Sequence, residues 1–176
     1  MKPWKRIEPT ETHSVGWRTV VSKRFVTPDG RTSDWQVFNA EGTRCVGVVA
    51  LTGDRRVIVA RQFRPGPEQI MDELPGGIVD SGETPQAAAV RELQEETGYR
   101  PGRIEPLGVI HKDGYSNTAH HYFLATDCTL AGEQALDEHE HIEVRLLGID
   151  AFLQNARAGR MTDTAAVFLA QDKLTT

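Results

Sequence analysis

Four glutamates and one arginine between Gly77 and Tyr99 constrain this chain more than any other feature of its sequence. Three of the glutamates, Glu92, Glu95 and Glu96, are related by spacings of three and four residues, which place them on one stripe of an α-helix. Like charges at such spacings destabilise an isolated helix by a few tenths of a kcal/mol per pair. The stripe is therefore either fully solvated or compensated by a bound cation.

The sequence around these glutamates carries signals for both ends of a helix. Thr84 suits the N-cap, Pro85 suits the first turn, and Gly98 suits the residue just past the end. These signals predict a helix over residues 85–97. Its expected inward-facing residues are apolar: Ala89, Val90 and Leu93.

An acidic stripe of this kind suits hard divalent cations, which prefer carboxylate and carbonyl oxygens. We expect Mg²⁺ or Mn²⁺, because Mg²⁺ keeps several waters while it shares oxygens with substrate phosphates. The pair Gly76-Gly77 allows the backbone to approach such a cation, with a carbonyl as an additional ligand. Arg91, four residues before Glu95, is expected to hold that carboxylate by charge-assisted hydrogen bonds. The pattern indicates attack of an activated water on phosphorus.

Taken whole, this run resembles the Nudix box, with the pattern Gly77-x5-Glu83-x7-Arg91-Glu92-Leu93-x-Glu95-Glu96-x-Gly98-Tyr99. Ordinary residue frequencies give a chance match on the order of 10⁻⁸ per starting position, which outweighs the alternative of a solvated helix face. Tyr99 stands where that family more often has an aliphatic residue, a difference that we interpret as tolerated packing.

The resemblance implies a metal-dependent pyrophosphohydrolase that acts on a nucleoside diphosphate linked to another group. It implies metal ligation by the carbonyl of Gly76 and by the carboxylates of Glu92 and Glu96. Glu95 is implied as a further ligand or as an assisting group in catalysis, together with Arg91. Members of the family differ in which carboxylate deprotonates the water.

Segments outside the box are similar to the ADP-ribose and nucleotide-sugar pyrophosphatase branch of the family. One such segment is 61–64, which precedes Glu73. Its similarity to the branch implies that Arg64 and Glu73 bind substrate and that Arg64 contacts a phosphate. The acidic segment 137–140 resembles a mobile loop of that branch, which implies Glu138 as a general base and Glu140 as a metal ligand. The alternative for Arg64 is a solvated arginine at a strand end, and the alternative for the segment 137–140 is an acidic surface turn.

In this branch an N-terminal hairpin is exchanged across a homodimer, and its aromatic residues stack on the base. The resemblance implies such a role for Trp35 and Phe38, with core or dimer packing as the alternative. Enzymes dedicated to ADP-ribose have a Ser-Pro-Gly segment after the box, whereas residues 112–117 contain no proline. A GDP-, ADP- or UDP-hexose is therefore as reasonable a substrate as ADP-ribose.

The order of apolar and turn-forming segments predicts an α/β fold. The resemblance implies the Nudix α/β/α sandwich with a mixed β-sheet and an N-terminal antiparallel β-hairpin extension. We expect this extension over residues 1–41 and the hydrolase domain over 42–176. Strands are expected over 17–26, 35–38, 45–51, 57–60, 103–110, 120–126 and 142–147, helices over 85–97, 149–157 and 163–174, and a loop at 64–68 that leads to Glu73.

Composition excludes several other classes of protein. The net charge is -5 and the basic residues are scattered, which argues against a nucleic-acid partner. The two cysteines, Cys45 and Cys128, have no neighbours at zinc-ligand spacing. No apolar run reaches membrane-spanning length, so we expect a cytoplasmic protein with no membrane partner and with a small-molecule nucleotide as its ligand.

Two other functions are compatible with the box. One is hydrolysis of a nucleoside triphosphate, that is a (d)NTP, or of capped RNA. The sequence lacks the basic stripe with interleaved aromatic residues that would favour RNA. The other is a non-catalytic, nucleotide-sensing domain with the same fold. Such proteins typically lose carboxylates of the box, and this chain retains all of them.

Overall fold

A computed structural model of the protein describes residues 1–16 and 18–175. Within these residues the strands and helices follow in the order β1 (Lys5–Val15), β2 (Arg18–Val26), β3 (Thr32–Phe38), β4 (Arg44–Thr52), β5 (Val57–Arg64), β6 (Gln69–Glu73), α1 (Pro85–Thr97), β7 (Tyr99–Arg100), β8 (Arg103–Ile110), β9 (Ala119–Leu130), β10 (Glu143–Leu147), α2 (Ile149–Arg157) and α3 (Thr164–Leu174). The chain divides into two compact units: residues 1–43 with 111–119, and residues 44–110 with the chain from His120 onwards.

The first unit is a three-stranded antiparallel sheet in the order β1-β2-β3. The predicted hairpin corresponds to β2 and β3, and Trp17, where we expected it to begin, lies outside the described residues. We did not predict β1, because its polar sequence with an internal proline lacks the alternation of a half-buried strand. The segment 111–119 joins this unit through Phe38, whose N–H donates to Tyr115 O at 2.7 Å and whose carbonyl accepts from Asn117 N at 2.9 Å.

The second unit contains a seven-stranded sheet in the order β10-β5-β4-β9-β7, with β6 paired to β5 and β8 paired to β9. Both faces of its central strands are covered, which explains their nearly continuous apolar runs. On β4, Val49 and Leu51 pack in one core with Phe152 of α2 and Ala166 of α3, together with other residues of those helices. The alternate residues pack in a second core with α1. The predicted α/β/α sandwich is confirmed.

Helix α1 begins and ends at the predicted residues. Thr84 accepts a hydrogen bond from Ala87 N at 3.2 Å, and Gly98 takes the left-handed conformation with φ of 76°. Ala88, Ala89 and Leu93 are buried against the sheet, whereas Val90, which we expected to point inward, is only half-buried. Burial of a leucine side chain contributes about 2–3 kcal/mol, so Leu93 anchors the helix and leaves its acidic stripe on another side.

The other predicted elements differ from the structure only in small ways. Residues 65–68 form the expected turn, but the segment after it is the short strand β6. Five residues without clear alternation are too few to distinguish a strand from a loop by periodicity. In the described part of the chain, no helix is both long and apolar enough to cross a membrane.

Candidate functional site

The three glutamates of α1 have different surroundings, although they share one stripe. Glu96 is buried, with 4% of its surface exposed, and its Oε2 accepts a hydrogen bond from Gly76 N at 2.9 Å. Glu92 is mostly buried beneath Gly77, whereas the side chain of Glu95 is 42% exposed. The cluster therefore has a buried floor, formed by Glu92 and Glu96, and a solvent-facing edge at Glu95.

Arg91 connects the acidic residues of the box to one another. Its Nε and Nη2 donate to the two carboxylate oxygens of Glu83 at 3.1 Å each. Its Nη1 donates to Glu92 Oε1 at 2.8 Å and to Glu95 Oε2 at 2.9 Å. The contact with Glu95 that we predicted from the four-residue spacing is thus present. These carboxylates raise the pKa of the Arg91 guanidinium, with Glu83 as the largest contributor, so Arg91 stays charged and fixes their positions.

The loop before the helix is held against β4 by two backbone hydrogen bonds. Val48 N donates to Pro75 O at 2.9 Å, and Val46 N donates to Gly77 O at 2.8 Å. Gly76 lies between these two acceptors, and its own N–H donates to Glu96 Oε2 at 2.9 Å, which places its backbone beside the buried carboxylates. This geometry makes the carbonyl of Gly76 a candidate oxygen ligand.

The buried carboxylates disfavour one another's charge. The pKa of Glu96 is raised to about 8, chiefly by burial and also by the charges of Glu92 and Glu140, against the lowering effects of the Gly76 N–H and of Arg64. Burial also raises the pKa of Glu92, despite its contact with Arg91. A divalent cation would offset this repulsion, so the donor set of carboxylates and one carbonyl fits a hard metal ion.

Glu138 and Glu140 lie in the segment between β9 and β10. The Oε2 of Glu140 accepts from Asp137 N at 2.9 Å, so its side chain caps a turn of its own loop. Glu138 is exposed. Among the described residues, no group of three acidic, histidine or cysteine side chains is arranged to hold a metal ion. The charge of Glu140 nevertheless acts on Glu92 and Glu96, because it raises the pKa of both carboxyl groups.

A residue that sequence reasoning missed attaches this loop to α1. The side-chain amide of Gln134 donates to Glu96 O at 2.6 Å and to Ile142 O at 3.2 Å. Ala135 N donates to Glu95 O at 2.8 Å. Gln134 thus ties both ends of the acidic loop to the last turn of α1, and nothing in its local sequence indicates this role.

Arg64 lies on β5 and Glu73 on β6, and their side chains meet although the strand register pairs Arg64 with Gln69 and Glu73 with Ala60. Arg64 donates to Glu73 Oε2 through Nε, and its Nη2 pairs with the same oxygen. The Oγ1 of Thr162 donates to the other oxygen, Glu73 Oε1, at 2.7 Å. Because Arg64 also lowers the pKa of Glu96, its positive charge acts on the acidic cluster.

Trp35 and Phe38 both lie on β3, in the first unit, but in different environments. Trp35 lines a cavity of about 620 Å³ together with Trp4 and Tyr115, and its ring stacks on that of Tyr115 with centroids 5.7 Å apart. The indole Nε1 of Trp35 is buried without a hydrogen-bond partner. Phe38 is 52% exposed and does not line this cavity.

Substitution of the two adjacent glycines is expected to affect different properties, metal activation in one case and stability in the other. A Cβ on Gly77 would lie 2.4 Å from Glu92 Oε1, whose flexible side chain can move, whereas a Cβ on Gly76 would lie 2.2 Å from the backbone oxygen of Val46. We expect Gly77→Ala to keep the fold and to weaken metal activation about 10- to 100-fold. We expect Gly76→Ala to destabilise the fold by about 1–3 kcal/mol.

Activation by a titrated divalent metal and unfolding by urea measure the two effects. Gly53→Ala serves as the control, because a Cβ at Gly53 has no atom within 4 Å. Wild-type metal activation in Gly77→Ala would show that displacing the carboxylate of Glu92 does not affect the metal.

Known proteins are similar to this chain in sequence. Residues 42–169 match the family model described as the NUDIX domain. The chain is 30% identical over 146 residues to the ADP-ribose pyrophosphatase of Bacillus subtilis (strain 168), with 82% of this chain and 78% of that protein covered. It is 32% identical over 120 residues to the ADP-sugar pyrophosphatase of Mus musculus, with 62% and 55% covered.

The fold is also similar to that of a solved structure. The crystal structure of an ADP compounds hydrolase matches with a TM-score of 0.81 and 21% identity, over 99% of this chain and 96% of that chain. At this level of identity the likeness shows a common fold.

Proposed function

Because this chain belongs to the Nudix family of hydrolases, we propose that it hydrolyses the diphosphate bond of a nucleoside diphosphate sugar. Water adds to one phosphorus of the bridge, the bond from that phosphorus to the bridging oxygen breaks, and the products are a nucleoside monophosphate and a sugar phosphate. The observation that carries this proposal is the cluster of buried carboxylates on α1, with the cation of Arg64 acting on its deepest member, Glu96.

Nudix hydrolases generally depend on a divalent metal. We propose Mg²⁺ or Mn²⁺ here, held by the carbonyl of Gly76 and by the carboxylates of Glu92, Glu96 and Glu140. When bound, such an ion neutralises charge on the diphosphate and makes a coordinated water more acidic. The mutual repulsion of these carboxylates supports the assignment, because a cation among them removes the cost of burying their charges.

Residues at the edge of the cluster are proposed to act on the reactants. Arg64 binds a phosphate of the bridge, since a guanidinium matches phosphate oxygens in geometry and charge. Glu138 takes the proton of the attacking water, with Glu95 as the assisting carboxylate that Arg91 orients. Gln134 supports the assignment of Glu138, because it fixes the ends of the loop that has to bring this residue to the water.

The base of the nucleotide is proposed to bind to the N-terminal sheet. Trp35 has the stronger support, because it lines an aromatic cavity, whereas Phe38 lies outside it. We further propose a homodimer in which residues 1–41 are exchanged, so that aromatic residues of one copy serve the other. The oligomeric state in solution, by light scattering, tests this assembly, and a monomer at working concentration contradicts it.

The class of substrate is supported by the names of the relatives, an ADP-ribose pyrophosphatase and an ADP-sugar pyrophosphatase. The segment 112–117 lacks the proline of enzymes dedicated to ADP-ribose. We therefore propose a range that includes ADP-ribose and GDP-, ADP- or UDP-hexoses.

Product analysis with a nucleotide panel and Mg²⁺ or Mn²⁺ tests the proposed reaction. We expect a nucleoside monophosphate from at least one diphosphate sugar, at a kcat/KM above that for any nucleoside triphosphate. Release of pyrophosphate from a triphosphate with the higher kcat/KM would assign the chain to triphosphate hydrolysis instead. Absence of monophosphate from every sugar nucleotide would rule the proposal out.

A further inference from the structure

Glu73 is a carboxylate whose surroundings leave little room for a ligand. Only 1% of its surface is exposed. One of its oxygens is paired with Arg64 and the other accepts from Thr162 Oγ1 at 2.7 Å. A carboxylate enclosed in this way can influence a ligand only through the side chains that it contacts. Of these, Arg64 is the one that can bind an anion.

Thr162 reaches Glu73 from the segment between α2 and α3. Its hydroxyl also lies 3.2 Å from Asp163 Oδ2, but a hydroxyl has one proton to donate. The oxygen of Glu73 is closer and more deeply buried, and an unsatisfied buried carboxylate is costly. Asp163 accepts a hydrogen bond from another donor, the Tyr122 hydroxyl, at its Oδ1 at 2.9 Å. The proton of Thr162 is therefore assigned to Glu73.

The pairing with Glu73 engages only one edge of the Arg64 guanidinium. An arginine has five N–H groups, and the contact uses Nε and one N–H of Nη2. Three N–H groups are directed elsewhere, and the side chain of Arg64 is 43% exposed. A long arginine side chain has many conformations in water, and a fixed carboxylate at one edge selects a single orientation for the remaining donors.

We propose that Glu73 and Thr162 are positioning residues that orient Arg64 toward a phosphate of the substrate. Thr162 fixes Glu73 from outside the sheet, Glu73 fixes the guanidinium, and the guanidinium presents its remaining N–H groups to the anion. The inference rests on the proposed function, in which Arg64 contacts the diphosphate.

Replacement of Thr162 by valine tests this chain of contacts, because valine keeps the shape and removes the hydroxyl. We expect Thr162→Val to raise KM for the sugar nucleotide about 10-fold with kcat nearly unchanged, as for loss of binding common to ground state and transition state. Thr162→Ser restores the hydroxyl and is expected to restore KM. Thr164→Val is the matched control, since Thr164 is an exposed threonine at the start of α3.

The background variant Arg64→Ala separates positioning from a general structural effect. If Thr162 acts through Arg64, Thr162→Val raises KM in the wild-type background and changes it no further when Arg64 is alanine. An equal increase in both backgrounds, or no increase in either, overturns the proposal. An unchanged KM in Arg64→Ala alone also overturns the proposal. In that case, formation of a monophosphate by the wild type shows that the proposed reaction is correct and that only the role of Arg64 is wrong.

Discussion

Replacement of Glu96 by glutamine is expected to lower kcat by roughly a thousandfold or more, since a metal ligand loses its charge. Glutamine has nearly the same shape, and its amide oxygen can still accept the hydrogen bond from Gly76 N. The substitution therefore removes charge with little change in packing. Steady-state kinetics across a titration of Mg²⁺ or Mn²⁺ measure the loss, and Glu143→Gln, on the exposed end of β10, is the control.

The same variant is expected to be more stable than the wild type without metal at alkaline pH. The pKa of Glu96 is raised from 4.5 to about 8 in the folded chain, chiefly by burial. Between these values the folded state keeps a proton that the unfolded state has lost, so stability falls as pH rises through this window. Glutamine does not titrate, and we expect Glu96→Gln to unfold on the order of 5 °C above the wild type at pH 8.

Thermal unfolding in a chelating buffer at pH 5 and pH 8 measures this difference. The variant should lose less stability between the two values than the wild type does, and Glu143→Gln should follow the wild type. Normal turnover of Glu96→Gln contradicts its assignment as a ligand, whereas an identical pH profile of stability contradicts its burial as a charged group.

Replacement of Arg91 by methionine is expected to affect both the fold and the reaction. Arg91 donates to three carboxylates of the cluster, and its removal leaves them without their shared cation. Loss of one partner of a buried ion pair costs about 3–5 kcal/mol, and because Arg91 is 29% exposed we expect roughly 2 kcal/mol. We also expect kcat/KM to fall about 10- to 100-fold, because Glu92 and Glu95 lose a fixed orientation.

Urea unfolding and steady-state kinetics of Arg91→Met measure these losses. Arg91→Lys should be intermediate, because an ammonium carries the charge without the planar fork. Arg100→Met is the matched control, since Arg100 contacts Gln94 on an exposed part of the same helix. If Arg91→Met and Arg100→Met behave alike, the contacts of Arg91 do not organise the cluster.

Elements with local signals were predicted well from the sequence. The ends of α1 follow from Thr84, Pro85 and Gly98, whose effects act within one turn of the helix. The central strands follow from apolar runs that are buried on both faces. The polar strand β1 and the five-residue strand β6 lack such signals, because their pairing depends on neighbouring strands.

The sequence by itself determined that Glu92, Glu95 and Glu96 share a helix with Arg91, since their spacing sets their direction once the helix forms. Only the tertiary structure decided that Glu96 is buried while Glu95 stays at the surface, because burial depends on what packs over the helix. It also decided the partners of distant residues: Thr162 meets Glu73 across 89 positions of the chain, and Gln134 meets Glu96 across 38. Local periodicity carries no information about such contacts, because they form only when separate strands and helices pack together.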